Sequence, residues 1–224
     1  MKLSRASVKK LILMAMALAC LAPAMPAAAD SPAPTRAQAL ASLKKPDPLE
    51  RRRGALGLQT VGRMDDVPAL IAALRDSDDV VRAIAEEALW AVWSRSGDAH
   101  VDDLLKRGIS EMSAEHFAEA IATFTQVIEL KPDFAEGWNK RATVFYLAGE
   151  YRRSLADCDE VIKRNPSHFG ALSGYGQIYL QLDQPEKALE YFRRALTVNP
   201  NLDGVQAAID TLEALEVRRR QRSI

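Results

Sequence analysis

The sequence predicts an all-α fold in which antiparallel pairs of helices repeat along the chain. Three prolines, Pro132, Pro166 and Pro200, are evenly spaced in the C-terminal half. A residue type that favours a helix N-cap follows each proline, and small residues recur in the same phase, where two paired helices must approach closely. The N-cap candidates are Asp133, Ser167 and Asn201, and the small residues are Gly108, Ala142 and Gly176. Each period therefore indicates one helix–turn–helix unit.

Composition is consistent with a folded chain and narrows the class of protein. Of 224 residues, 48% are apolar and 27% are charged, which excludes collagen-like and bulk-disordered chains. The formal net charge is zero, but four of the 30 basic residues precede residue 30. The remaining chain has 26 basic against 30 acidic residues, and this mildly acidic balance argues against a nucleic-acid partner.

Residues 1–29 have the features of a secretory signal peptide. A basic start is followed by an uninterrupted apolar run from Leu11 to Ala22. This run is shorter than the roughly 20 apolar residues that a transmembrane helix needs. Ala27–Ala29 provide the small side chains required for cleavage before Asp30. We expect a periplasmic or secreted protein with no membrane insertion after cleavage.

Two alternatives to a cleaved signal peptide remain at this stage. The first is a short N-terminal helix of a cytosolic protein. The second is lipidation at Cys20, because Ala17-Leu18-Ala19-Cys20 resembles the Leu-Ala-Gly-Cys signal of bacterial lipoproteins with the leucine one place off pattern.

Residues 30–98 precede the repeats and divide into two parts. Residues 30–45 are rich in proline, alanine, serine and lysine, with helical period only around 36–43, and are predicted as a linker. In residues 46–98, the pattern Arg52-x-x-Ala55 recurs as Arg82-x-x-Ala85. A helix start at Val67-Pro68 lies between these two patterns. Together, the patterns and the helix start resemble a HEAT-like repeat of the phycobilisome-lyase type. We expect this segment to continue directly into the repeats that follow.

Residues 99–200 resemble three tetratricopeptide repeats, at about 101–132, 133–166 and 167–200, and the proline spacing matches the family's period of about 34 residues. The resemblance rests also on the small first-helix residues and on Trp138. In the second helix of each repeat, a position for a small side chain is followed by a core position that is typically large in the family. The second-helix positions are Ala120, Ser154 and Ala188, then Phe124, Cys158 and Phe192. It implies a superhelical α–α solenoid with helices at 102–113, 116–130, 134–147, 150–164, 168–181 and 184–198. Residues 201–224 are predicted as a capping helix with a basic tail.

The sequence contains no recognisable catalytic or metal site. His100, His116 and His168 are isolated near helix starts, where surface or capping roles are expected, and Cys158 occupies a core position. The acidic pairs at 65–66 and 78–79 lack the further oxygen ligands of a calcium loop. We therefore predict no catalytic residues, no metal and no cofactor, and a protein that is not an enzyme.

The resemblance implies that the first helix of each pair lines a concave groove. The family's clamp for acidic C-terminal peptides uses lysine, asparagine and arginine there. The corresponding positions here hold Leu105, Ile109, Lys140, Gly170 and Gly174, so four of the five differ from the clamp. A neutral groove suits an extended or helical peptide, although a merely solvated groove is the alternative. The predicted partner-binding residues are Met112, Asn139, Thr143, Tyr146, Ser173, Gln177 and Gln181.

Trp90 and Trp93 lie close together on one predicted helix and share a face. Core packing against the first tetratricopeptide helix is the favoured interpretation. The alternative is a second, partly exposed patch that binds a partner.

These observations together predict an exported, non-enzymatic scaffold of the bacterial cell envelope that binds a peptide or helix of another protein. A lipid-anchored adaptor, lipidated at Cys20, is the first alternative, and an enzyme or cofactor carrier with no recognisable site is the second. The sequence indicates neither the identity of the partner nor the oligomeric state.

If the signal peptide is cleaved after Ala29, the exported chain should begin at Asp30. Intact-mass measurement of the exported protein tests this directly. A chain that begins at a diacylated Cys20 would instead support the lipoprotein, and soluble protein that retains Met1 would contradict export.

Overall fold

The computed structural model describes residues 34–221, and every regular element in that range is helical. This range contains eleven α-helices, one 3-10 helix at Met64–Asp66 and no strand, which confirms the all-α prediction. The signal peptide predicted at 1–29 lies outside the described residues. The helices are α1 (Arg36–Ser42), α2 (Pro48–Val61), α3 (Val67–Ala73), α4 (Asp79–Trp93), α5 (Ala99–Ser113), α6 (Phe117–Leu130), α7 (Ala135–Leu147), α8 (Tyr151–Arg164), α9 (Phe169–Gln181), α10 (Pro185–Val198) and α11 (Asp203–Gln221).

Six helices form the three pairs predicted from the proline spacing. Helix α5 packs on α6, α7 on α8 and α9 on α10, and their bounds lie close to the predicted ones. The turns inside the pairs are short, so the two helices of each pair run antiparallel.

Close approach of the paired helices explains the recurring small residues. A Cβ atom on Gly108 would lie 2.5 Å from Cε1 of Phe124, and one on Gly176 would lie 2.3 Å from Cε1 of Phe192. Any larger side chain at these glycines would displace a buried aromatic ring. The close approach predicted at the small first-helix residues is therefore confirmed in the first and third repeats.

The turn inside each pair has a left-handed residue in the same phase. The φ angles are 60° at Glu115, 78° at Gly149 and 58° at Asp183. A left-handed residue after the last helical turn is a common way to end a helix, and glycine adopts it most easily. The same backbone turn is therefore repeated three times, with a glycine only in the second.

The helix starts after the prolines differ from the prediction by one or two positions. Asp133 and Ser167 are not N-caps, because α7 is capped by Phe134 and α9 by His168. The buried Phe134 is part of the apolar core, and the His168 ring accepts a hydrogen bond from the helix backbone. Asn201 likewise lies just outside the start of α11. Helix α7 therefore begins at a buried aromatic residue that makes no side-chain cap, whereas α9 begins at a buried histidine that does cap it.

The N-terminal segment, residues 36–93, is a helical unit with its own ion pairs. Helix α4 packs along α2 and α3, and α1 packs on α2. Arg51 pairs with Asp76 at 2.7 Å, and Arg52 pairs with Asp78 at 2.5 Å. These pairs join the start of α2 to the turn before α4.

Helix α1 lies inside the segment that the sequence predicts as a linker. Ala39 is 1% exposed in the core, and Arg36 pairs with Asp66 at 2.7 Å. Residues 36–42 are therefore packed structure, which corrects the linker expected over 30–45.

The last helix, α11, covers the open end of the third repeat. Ile209 is buried against Leu189 and Phe192 of α10. All the helices described belong to one compact unit that begins at Pro34. Among residues 34–221, no helix combines the length and hydropathy needed to cross a membrane.

The small position of the second helix provides a test of the repeat packing. Ala188 is fully buried, so Ala188→Asp places an unpaired charge in the core and should destabilise the protein by at least about 3 kcal/mol. Cys158→Ala leaves only a small cavity and should cost about 1–2 kcal/mol. Thermal unfolding measures both, and Ala122→Asp, at an exposed position of α6, is the matched control. Equal melting temperatures for Ala188→Asp and wild type would contradict this packing.

Candidate partner-binding groove

The first helices of the three pairs, α5, α7 and α9, carry the predicted partner-binding residues. Those in the second half of each helix remain partly accessible, and we call them the outer half of the groove. The Tyr151 hydroxyl, at the start of α8, donates a hydrogen bond to Gln181 Oε1 of the next repeat at 3.4 Å, and the Tyr151 ring lies 5.8 Å from that of Tyr146, so neighbouring repeats are joined here. The outer half comprises Met112, Thr143, Tyr146, Gln177 and Gln181.

Charged residues are absent from the positions that recur along the outer half. Burial raises the pKa of Tyr146, so its hydroxyl is a neutral hydrogen-bonding group at physiological pH. The surface consists of apolar side chains, amides and hydroxyls. The residues that share these repeat positions are Ile109, Met112, Ser113, Thr143, Tyr146, Leu147, Gln177, Leu180 and Gln181.

The first turns of α7 and α9 are covered, and we call this part the inner half of the groove: Glu136, Asn139, Lys140, Gly170 and Ser173. Asn139 and Ser173 are each only 8% exposed. Asn139 Nδ2 donates to Glu136 Oε2 at 3.1 Å, and Ser173 Oγ donates to a backbone carbonyl of its own helix at 2.8 Å. Both side chains are therefore taken up by internal contacts, which corrects the prediction that they line an open groove.

A buried ionic cluster lies at the centre of the inner half. The carboxylate of Glu136 is 3.0 Å from Lys140 Nζ through one oxygen and 3.0 Å from His168 Nε2 through the other. The side chains of Glu136 and His168 are both fully buried. His168 is thus a buried capping residue rather than a surface one, and it links the first helices of the second and third repeats.

The cluster keeps Glu136 ionised. Burial alone would raise the pKa of this carboxyl group, but the charge of Lys140 and the contact with His168 outweigh it and lower the pKa from 4.5 to about 2. A buried charge is tolerated only when it is paired in this way. Removal of either partner would leave a charge without compensation in the core.

Two tryptophans of α4 cover the cluster. The ring of Trp93 stacks on His168 with 4.5 Å between centroids, and Trp90 lies edge-on to Phe169 at 5.2 Å. Lys140 Nζ lies 5.9 Å from the centre of the Trp90 ring. The N-terminal segment is therefore seated on the inner half of the groove.

Gly170 makes room for Trp90. A Cβ atom at Gly170 would lie 2.4 Å from Cη2 of Trp90, closer than any side chain could approach. At Gly174, one turn further along α9, the nearest atom would be Cys158 Sγ at 4.0 Å. Only the first of the two glycines is required by the tryptophan contact.

Polar contacts fix the edge of the N-terminal segment to the end of the third repeat. Asn199 Nδ2 donates to Glu86 Oε2 at 2.9 Å, and Asn201 Nδ2 donates to the Leu74 carbonyl at 2.8 Å. Arg75 also donates to backbone carbonyls at the end of α10. These contacts join parts of the chain that are far apart in sequence.

Trp90 and Trp93 pack in a core, as the favoured interpretation expects, but on a different helix from the one predicted. The apolar cluster that contains them includes Phe169 and Leu202 but no residue of α5, so they do not pack on the first repeat. Trp93 is 3% exposed and is not available as a partner patch. A fixed repeat period gives no signal that α4 returns to the third repeat.

Reactive chemistry is not apparent in the described part of the chain. Burial, with smaller contributions from the neighbouring Asp157 and Asp159, raises the pKa of the Cys158 thiol to about 12, so the thiol stays protonated. Residues 34–221 contain no group of three or more histidine, cysteine or acidic side chains that could hold a metal ion.

The ionic cluster predicts a specific pH dependence. Because the pKa of folded Glu136 lies below that of the unfolded carboxyl group, its stabilisation is present above pH 4.5 and is lost as pH falls from 4.5 toward 2. Glu136→Gln should therefore lose at least about 2 kcal/mol at pH 7 and much less at low pH. Urea unfolding across this range measures the difference, with the exposed Glu119→Gln as control. A constant deficit at every pH would contradict the ionised state of Glu136.

Sequence comparisons agree with the paired helices. A family model for the tetratricopeptide repeat matches residues 105–160 and 140–203. A TPR repeat-containing protein of Rhizobium etli is 33% identical over 138 residues, which is 62% of this chain and 67% of that protein. Hsp70-Hsp90 organizing protein 1 of Glycine max is 24% identical over 115 residues, and the match spans only 20% of its length.

Solved structures show the same fold over about half of the chain. The Sgt2 TPR domain from Aspergillus fumigatus has a TM-score of 0.52 at 18% identity, covering 56% of this chain and 83% of the domain. The first TPR of Spaghetti (RPAP3), bound to the HSP90 peptide SRMEEVD, has a TM-score of 0.51 at 20% identity, covering 54% of this chain and 96% of that one. With its repeats, its match to the family model and its Rhizobium relative, this chain belongs to the tetratricopeptide repeat proteins.

Proposed function

We propose that this protein is an exported, non-enzymatic scaffold of the bacterial cell envelope that binds an uncharged segment of another protein across the outer half of the groove. The observation that carries the proposal is the partly accessible surface that Tyr146 and Gln181 present on neighbouring repeats, which the Tyr151–Gln181 hydrogen bond joins. A tyrosine offers a flat apolar face and a hydroxyl, a combination enriched at binding hot spots. The amides can hydrogen-bond to a partner backbone whatever its side chains are.

The location is part of the same proposal. A signal peptide cleaved after Ala29 would deliver the protein to the periplasm or the medium. The bacterial relative from Rhizobium etli is compatible with a bacterial scaffold. In this proposal residues 46–98 are a HEAT-like extension of the repeats, and the helical pairing of α2 with α4 supports that assignment.

Protein binding is supported by the relatives. The first TPR of Spaghetti (RPAP3) is bound to an HSP90 peptide in its solved structure, so its repeats accept a segment of another protein. This chain shares the fold but differs in the residues at the groove, so the partner proposed here has a different chemistry.

Replacement of three outer residues tests the proposal. Thr143→Ala, Tyr146→Ala and Gln177→Ala together should leave the melting temperature within a few degrees, because none is fully buried. Capture of the partners that crosslink to the wild-type groove in whole cells should fall about tenfold or more, the effect of losing about 1.4 kcal/mol. Asn139, although predicted as a partner contact from the sequence, is left unchanged because it is buried.

The matched control is a triple variant on the exposed side of the second helices, Gln126→Ala, Arg152→Ala and Glu190→Ala. It should retain wild-type capture. If the groove variant folds and captures the same partners at wild-type yield, the binding surface lies elsewhere.

A further inference from the structure

Helix α4 of the chain itself occupies the inner half of the groove. We propose that α4 is a built-in occupant that excludes acidic C-terminal peptides and confines partner binding to the outer half. The inference rests on the proposed function, because it specifies the chemistry of the partner at the same groove. It assigns Trp90 as the residue that determines this specificity.

Access to the inner half is blocked by direct contact. Trp90 lies within contact distance of Gly170 and over Lys140, two of the five positions that correspond to the family's carboxylate clamp. A ligand carboxylate at these positions would have to displace the indole ring. The ring contacts of α4 thus occupy the volume that an acidic peptide end would need.

Electrostatics oppose an acidic ligand in the same place. Lys140 is the one cation among the five clamp positions, and it is already paired with Glu136 at 3.0 Å. Glu136 remains ionised, because its pKa is lowered to about 2. An incoming carboxylate would therefore meet a buried negative charge and a lysine whose charge is already compensated.

The docking of α4 has the character of a permanent interface. Trp93 is 3% exposed and Phe169 is 1% exposed, and the centroids of their rings are 5.0 Å apart. Buried aromatic pairs of this kind dominate interface energetics. Polar contacts from Glu86 and Leu74 to the end of the third repeat fix the orientation of the segment. Buried ring contacts with hydrogen-bonded edges argue against routine opening of this interface.

Only the outer half of the groove is left for a partner to bind. The uncharged side chains of the outer half favour an uncharged partner segment. The nine residues at its three recurring positions include no acidic or basic residue, while Met112, Tyr146 and Leu147 offer apolar surface. An uncharged, amphipathic protein segment would place its apolar side against these residues and its polar groups against the amides. A peptide that depends on carboxylates for recognition finds no cation here.

A glycine pair tests whether α4 is docked in solution. In full-length protein carrying Trp138→Phe, only Trp90 and Trp93 emit, and acrylamide should quench them poorly. Gly170→Ala should raise the quenching constant at least about twofold by displacing Trp90 and loosening α4. Gly174→Ala, whose Cβ would make only an ordinary contact with Cys158 Sγ at 4.0 Å, should leave quenching unchanged. Poorly protected tryptophans in the parent protein, or equal responses of the two variants, would overturn the docking.

An acidic peptide tests the exclusion. Fluorescein-labelled SRMEEVD, titrated into the full-length protein and followed by anisotropy, should bind wild type with a Kd weaker than about 1 mM. Trp90→Ala should bind it at least about tenfold more tightly than wild type, because Lys140 and Gly170 are uncovered. Addition of Lys140→Ala should remove that gain. Equal binding by wild type and Trp90→Ala, whether tight or absent, would overturn the exclusion.

These measurements are independent of the natural partner. Loss of partner capture in the outer-half variant bears on the proposed function and leaves quenching unaffected. Unprotected tryptophans would defeat the inference about α4 while leaving the groove as a binding surface. The two proposals can therefore fail separately.

Discussion

The contact between Trp93 and His168, above the buried carboxylate of Glu136, joins the two halves of the molecule. His168 is held from below by Glu136 at 3.0 Å and from above by the Trp93 ring at 4.5 Å. The first helices of two repeats and the N-terminal segment therefore meet at one imidazole ring. Because Glu136 stays ionised only while Lys140 and His168 are beside it, packing and charge pairing depend on each other at this point. The N-terminal segment and the second and third repeats are joined at this cluster.

The repeat fold depends on a simpler constraint, which explains how much of it could be predicted. A small residue on the first helix must face an aromatic ring on the second, as Gly108 faces Phe124, and the same contact recurs between Gly176 and Phe192 in the third repeat. Such local periodic packing is visible in a sequence, so the helix pairs are predicted with nearly correct bounds. The N-caps are less visible, because Phe134 and His168 are selected by burial rather than by the usual capping side chains.

No periodic pattern in the sequence indicates where the N-terminal segment packs. Trp90 contacts Phe169 from a distant part of the sequence, and nothing in the spacing of either residue indicates the other. A continuous stack would have placed α4 beside α5, the next helix in sequence. The sequence does contain two traces of the actual contact, Gly170 in the first turn of α9 and a carboxylate at position 136 on the groove face. Either feature alone has several explanations, and only the three-dimensional contact shows that both belong to one interface. Because the sequence does not reveal this interface, it predicts that Asn139 and Ser173 are accessible.

The same contact divides the groove by charge. The inner half holds an ionised carboxylate in contact with a lysine and a histidine, and α4 packs over them, whereas the outer half holds no charge at its recurring positions. If α4 were absent, the desolvated Glu136–His168 pair would lose the rings that exclude water, and the groove would present a polar end and a neutral end. With α4 seated, only the neutral end meets a partner. Recognition in this protein therefore follows from intramolecular packing as much as from the groove residues themselves, because a helix far away in sequence sets which part of the repeat surface is left to bind.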